Sequence, residues 1–255
     1  HGSIYAFGAM TTLLFLNMKL PTIPALLISL ILTGILAVLI NEISLEPLRK
    51  KKSAGISALI TTIGISYVIQ NLLIIAFGSE RDPFPDFLFF GSFDLFGTSI
   101  RSSQVLVTLV SIVLLVLLTL IINKTKVGLA MRAVEQSNTA AHLMGINVKQ
   151  IISITFFLGG ASAAIAGSLL GSYYQIAYPM MGFMLGLKAF AASVLGGIGI
   201  LHGSIVGGLV VGIAESLAAT YIGGSYRDMV GFVILIIVLI FRPNGIFGKK
   251  GIEKV

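Results

Sequence analysis

The chain has no cysteine, which removes disulfides, thiolate metal sites and cysteine nucleophiles together. Charge is scarce as well. Only 11% of the 255 residues are Asp, Glu, Lys or Arg, against roughly 25% in a soluble domain. Ten acids and seventeen bases cannot clothe a water-soluble fold of this size, whatever its core hides. With 56% hydrophobic residues and a mean hydropathy of +1.02, the missing solvent is lipid. Catalytic and metal-binding clusters are lacking too. The three histidines fall in loops or at segment ends and no membrane run carries paired acids, so nucleophile, acid and base have no common site.

Long apolar runs are what the sequence does have. Residues 22–41, 56–78 and 104–123 carry no charge, and each satisfies the roughly 20 residues a bilayer core requires. Residues 150–187 are also uncharged, but Tyr178, Pro179 and Gly182 predict a helix to about Ala177, then a turn or re-entrant piece. Residues 203–220 contain one acid, Glu215, while 2–18, 189–201 and 229–241 are shorter. A β-barrel would alternate in polarity, whereas residues 112–118 are apolar at every position. The expected fold is all-α: a polytopic transmembrane helical bundle of about seven or eight membrane segments, some broken or re-entrant, forming one domain over residues 1–255.

The bases cluster. Arg49, Lys50, Lys51 and Lys52 share one loop, Lys124, Lys126, Arg132 and Lys149 another, and Arg242, Lys249, Lys250 and Lys254 the tail. If each run crosses once, all three regions lie on one side, the cytoplasm. Residues 79–103, with Glu80, Asp82, Asp86 and Asp94 against Arg81 and Arg101, then lie outside. The net charge of +7 is thus a topology signal rather than a nucleic-acid footprint. No basic leader precedes the first apolar run, so no signal peptide is expected. A short repeat, His1-Gly2-Ser3-Ile4 and His202-Gly203-Ser204-Ile205, opens an apolar segment twice, a device common in transporters.

Lipid tails are as apolar as leucine, so membrane helices associate through close packing of small residues. Gly159, Gly160 and Gly167, and further on Gly207 with Gly203, Gly208 and Gly212, are expected at helix contacts. Gly196, Gly197 and Gly199 lack the Lys-Ser/Thr of a phosphate loop and read as a turn between segments, with Gly196 and Gly197 also expected at helix contacts. Ionisable groups at depth are costly and mark candidate paths. Glu215 faces either a polar path or the outer headgroups; Lys188 either contacts a substrate carboxylate or snorkels. Gln70 and Asn71, in mid-span, are candidate path residues or interhelical hydrogen-bond partners.

The loop over residues 124–149 exceeds what a connector needs. Ser137 and Asn138 suit an N-cap, residues 139–144 a short helix, and Gly145 the left-handed position after it. Such an element either rests on headgroups or docks a soluble partner, with Ala140, Ala141 and Leu143 as its contact face.

Here the chain resembles a known family. The run Arg132-Ala133-Val134-Glu135-Gln136-Ser137-Asn138-Thr139-Ala140-Ala141-His142-Leu143-Met144-Gly145-Ile146-Asn147 is similar to the cytoplasmic coupling segment of branched-chain amino-acid ABC transporter permeases of the LivH/LivM type. Residues 1–5, 186–190, 195–199 and the ending Phe241-Arg242-Pro243-Asn244-Gly245-Ile246-Phe247-Gly248 extend the likeness over nearly the whole chain. The resemblance implies a multi-pass permease in a bacterial or archaeal plasma membrane, translocating branched-chain or related amino acids into the cytoplasm. It implies a second, homologous permease, two ATPase subunits and an extracytoplasmic substrate-binding protein as partners. Glu135, Ala140, Ala141, Leu143 and Gly145 would contact the ATPase. No P-loop is present, so ATP and Mg belong to partner chains and this one needs no cofactor. Family members carry a further segment before the His-Gly pair, so the chain is expected to begin inside a longer protein. The competing class is an ion-coupled secondary transporter of small polar solutes, which requires midplane acids; Glu215 alone qualifies.

Overall fold

A computed structural model of the chain describes residues 2–50, 55–88, 91–95, 98–197, 199–241 and 245–248. His1, Lys51, Lys52, Arg242, Lys249, Lys250 and Lys254 lie outside the described residues. The helices are α1 (Gly2–Asn17), α2 (Thr22–Ile40), α3 (Glu46–Lys50), α4 (Gly55–Phe77), α5 (Ser102–Lys124), α6 (Lys126–Gln136), α7 (Asn138–Leu143), α8 (Val148–Tyr174), α9 (Met181–Gly196), α10 (Leu201–Tyr221) and α11 (Arg227–Phe241). A π-helical turn, Asn41–Leu45, carries α2 into α3 without a break. Among the described residues, six helical stretches are long and apolar enough to cross a membrane, and α1 and α9 are shorter apolar helices. That is the polytopic helical bundle expected of the apolar runs. The chain divides into two compact units, residues 1–182 and 183–255.

In the first unit α1, α2 and α8 pack on one another, and glycine sets how closely. A Cβ on Gly8 would lie 2.5 Å from the Ala164 Cα, and one on Gly160 would lie 2.6 Å from the Ala37 Cβ and 2.8 Å from the Thr33 carbonyl. Gly34 makes room for the Phe157 ring, and Gly167 for the Tyr5 carbonyl. Hydroxyls supply the polar contacts. Thr12 Oγ1 and Ser168 Oγ stand 2.7 Å apart, as do Thr11 Oγ1 and Ser29 Oγ, and Ser29 donates to the Gly8 carbonyl at 2.8 Å. Gly159 departs from expectation and is exposed. One residue is 100° of helix, so Gly160 faces α2 while Gly159 turns away.

Helix α8 ends at Tyr174, three residues before Ala177, and Gln175 after it lies in the left-handed region (φ 56°). The chain then forms a two-residue strand, β4 (Ile176–Ala177), antiparallel to β1 (Asp82–Pro83). Two further strands, β2 (Ser92–Leu95) and β3 (Thr98–Arg101), pair with each other. These short ladders were not foreseen; they pair backbone groups that lie beyond the helices and still need partners.

The second unit contains most of α9, with α10, α11 and residues 245–248. The apolar run 189–201 is not one segment. Gly197 (φ 109°) and Gly199 (φ 86°) break it, and the helix before them reaches back to Met181 because Lys188 is neutralised within it, as described below. Gly196 and Gly203 meet backbone to backbone, and Gly207 sits against the Ala192 carbonyl. Gly208 and Gly212 are exposed. Ile246 N–H donates to the Leu195 carbonyl at 2.8 Å and Phe247 N–H to the Gly196 carbonyl at 3.2 Å, satisfying acceptors that the end of α9 leaves open. Both glycines of the short repeat touch a glycine of α9: Gly2 meets Gly182, and Gly203 meets Gly196.

Gly160→Val is expected to destabilise the folded protein by about 1–3 kcal/mol through overpacking. Gly212→Ala, where a Cβ meets nothing within 4 Å, should change stability by less than about 0.5 kcal/mol. Thermal denaturation of the two variants in detergent measures the difference.

Candidate functional site

The long loop folds into two helices. Thr125 caps α6, its Oγ1 accepting from Gly128 N–H at 3.0 Å. The Ser137 Oγ accepts from Ala140 N–H at 3.2 Å and opens α7. At its other end Gly145 takes φ 81°, and the N–H groups of Gly145 and Ile146 donate to the carbonyls of His142 and Ala141, each at 3.0 Å. This is the paired closure of a Schellman cap, so the roles expected of Ser137 and Gly145 are met. Helix α6 was not anticipated, although Thr125 ahead of a run of segregated polar and apolar residues is its signal.

The expected contact face divides. Ala141 is 3% exposed and faces the chain's own body, whereas Leu143 is 81% and Met144 82% exposed. Ala140 and Glu135 are also exposed. The outward apolar pair is therefore Leu143 and Met144, and Ala141 seats the helix instead. Helix α7 packs against α6 and α8. Behind it a cavity of about 440 Å³ is lined by Asn138, Thr139 and His142 of α7, Glu46 and Arg49 of α3, and Lys149 of α8. Lys149 Nζ lies 3.2 Å from Glu46 Oε2 and 3.6 Å from Glu42 Oε1, and Arg49 donates to the Asn41 side-chain carbonyl.

The second unit brings together Glu215 and Lys188, which are 27 residues apart in sequence. Lys188 Nζ, on α9, lies 2.9 Å from Glu215 Oε2, on α10, and 2.7 Å from Asp228 Oδ1, on α11. Arg227 Nε approaches the same Glu215 oxygen at 3.6 Å. Glu215 is 4% exposed and its Oε1 has no hydrogen-bond partner. Gly231 leaves room for that oxygen, which a Cβ there would approach to 3.0 Å. Two acids and two bases thus form a network that carries no net charge. Arg227 and Asp228 were missed because they fall just outside an apolar run; their adjacency at the start of α11 was the available signal. Gln70 is buried on α4. Asn71 is exposed and donates within its own helix, to the Tyr67 carbonyl at 2.8 Å, rather than across to a neighbour. Among the described residues, no three of His, Asp and Glu are grouped to hold a metal ion.

A family profile described as the permease component of the branched-chain amino acid transport system matches residues 1–239. The chain belongs to this permease family. The permease is 40% identical over 221 residues to the high-affinity branched-chain amino acid transport system permease protein LivH of Escherichia coli strain K12, covering 85% of this chain and 71% of the relative. It is 36% identical to BraD of Pseudomonas aeruginosa, covering all of this chain and 87% of the relative. A probable LivH of Methanocaldococcus jannaschii is 31% identical, over 86% of this chain and 72% of that one. No solved structure matches. The protein is a multi-pass membrane transport component and not an enzyme.

Lys188→Met would leave buried Glu215 with Arg227 alone, at 3.6 Å, and is expected to cost about 3 kcal/mol, the lower end for a broken buried pair. Folded yield and thermal midpoint should fall. The double variant Lys188→Met/Glu215→Leu should recover most of the loss, because it removes the stranded charge as well.

Proposed function

We propose that the permease carries branched-chain amino acids into the cytoplasm as one of a pair of homologous permease subunits. Two ATPase subunits bind and hydrolyse MgATP below it, and an extracytoplasmic binding protein delivers substrate from above. The reading is supported by the roles of the relatives and by one structural observation above others. Helix α7 is fixed at both ends by caps, yet holds Leu143 and Met144 almost fully exposed. An apolar pair presented on a rigid, polar-flanked helix fits the groove of a soluble partner. The same end of the first unit carries Arg49, Lys124, Lys126 and Lys149, which the positive-inside rule assigns to the cytoplasm.

In this scheme ATP-driven closure of the ATPases moves α7, and α8, which begins after four intervening residues, passes the movement into the membrane. The ATPase cycle shifts the permease pair between inward- and outward-facing states by binding them with different free energies. An ion-coupled carrier would need a membrane acid that exchanges a cation with the path; Glu215 is instead bridged to Lys188.

In the assembled complex in proteoliposomes, Leu143→Asp is expected to weaken retention of the ATPase. Gly145→Val, strained in the left-handed region by about 1–2 kcal/mol, should reduce substrate-stimulated ATP hydrolysis and leucine uptake together. Variants that assemble, hydrolyse and transport normally would disprove the assignment of α7.

A further inference from the structure

Helices α2 and α8 run antiparallel, since Gly34 meets Phe157 while Glu42 of the π turn and Glu46 of α3, further along the chain, meet Lys149 at the beginning of α8. Over most of their length the two helices interlock through small residues. Gly34 takes the Phe157 ring and Gly160 lies against Ala37 and the Thr33 carbonyl there, so close packing holds that part of the contact. At the end nearest α7 the contact changes character. Lys149 stands in the first turn of α8, directly after the α7 cap, and its ammonium lies between two carboxylates of the opposing strut. Ser153, one turn further along α8, donates to the same Glu42 at 3.5 Å. The strut is itself unusual, because the π turn Asn41–Leu45 separates α2 from α3, and π turns inside α-helices recur at functional positions. Asn41 within that turn is 1% exposed and is held by Arg49, which fixes the turn against α3.

We propose that Lys149 is a positioning residue for transport: it locks the cytoplasmic end of α8 to the Glu42–Glu46 strut, so that displacement of α7 moves α2 and α8 as one body. The proposal rests on the reading of α7 as the ATPase contact. The lock works through geometry more than through stability. Lys149 and Glu42 keep 56% and 39% of their side-chain surface, and ion pairs this exposed contribute little to folding. Loss of the ammonium therefore leaves the helices folded but their ends nearest α7 free to part, and the movement of α7 then reaches α8 without reaching the strut.

The test uses the complete complex in proteoliposomes, with leucine taken up per ATP hydrolysed as the readout. Lys149→Gln is expected to lower that ratio on the order of tenfold, while Lys149→Arg, which keeps the charge, retains it. The reversal Lys149→Glu combined with Glu46→Lys should restore most of the ratio that Lys149→Glu alone removes. An unchanged ratio in Lys149→Gln overturns the proposal, as does a loss that the reversal does not repair, since a residue acting through the pair must respond to its partner. Leu143→Asp separates this from the underlying reading: if that variant keeps its ATPase bound, the assignment of α7 fails, whatever Lys149 does.

Discussion

The structure depends on how near two helix backbones approach when lipid surrounds both. Hydrocarbon gives no hydrophobic reward for joining helices, so association relies on dispersion contacts at close range and on polar groups that lipid cannot satisfy. Gly8 against Ala164, Gly160 against Thr33 and Ala37, and Gly196 against Gly203 are points where one added methyl group would meet backbone or Cβ atoms. The hydroxyls of Thr11, Thr12, Ser29 and Ser168 lie in the same core. They add direction to contacts that small residues leave without preference. Helix α8, which begins beside α7, runs about 40 Å at 1.5 Å per residue to the β4 strand.

Helix placement was readable because a bilayer demands uncharged length. The limits of α2, α4 and α5 fall within two residues of the uncharged runs, since charges mark where hydrocarbon stops. The cap of α7 was readable for a local reason: Gly145 occupies a conformation that side chains resist, and Ser137 offers an acceptor to an open N–H. The extent of α9 was not. A lysine inside an apolar run looks like an end, and only the approach of Glu215 and Asp228 from other helices reveals that its charge is met internally.

The same distinction governs the site residues. Composition marked Lys188 and Glu215 as costly within a membrane, which holds for any ionisable group at depth. It could not reveal that each is the other's counter-ion, because pairing across 27 residues is a property of helix packing. Ala141 shows the opposite case. Its small apolar side chain suited an outward contact face as well as an inward seat, and the rotation of a six-residue helix decides between them. Periodicity over so short a helix is too weak to fix that rotation, and along α8 the adjacent small residues Gly159 and Gly160 left undecided which of them faces α2.

The hydroxyl bridge between Thr12 and Ser168 spans 156 residues of chain, and the β1–β4 ladder joins residues 82–83 to 176–177. Both closures involve α8 or the strand after it. During synthesis, therefore, α1 and α2 enter the bilayer long before the helix that completes their packing has left the ribosome. Until then Ser168 is absent, and α1 and α2 are joined to each other through Thr11, Ser29 and the Gly8 carbonyl. Completion of this core is a late event set by the arrival of α8.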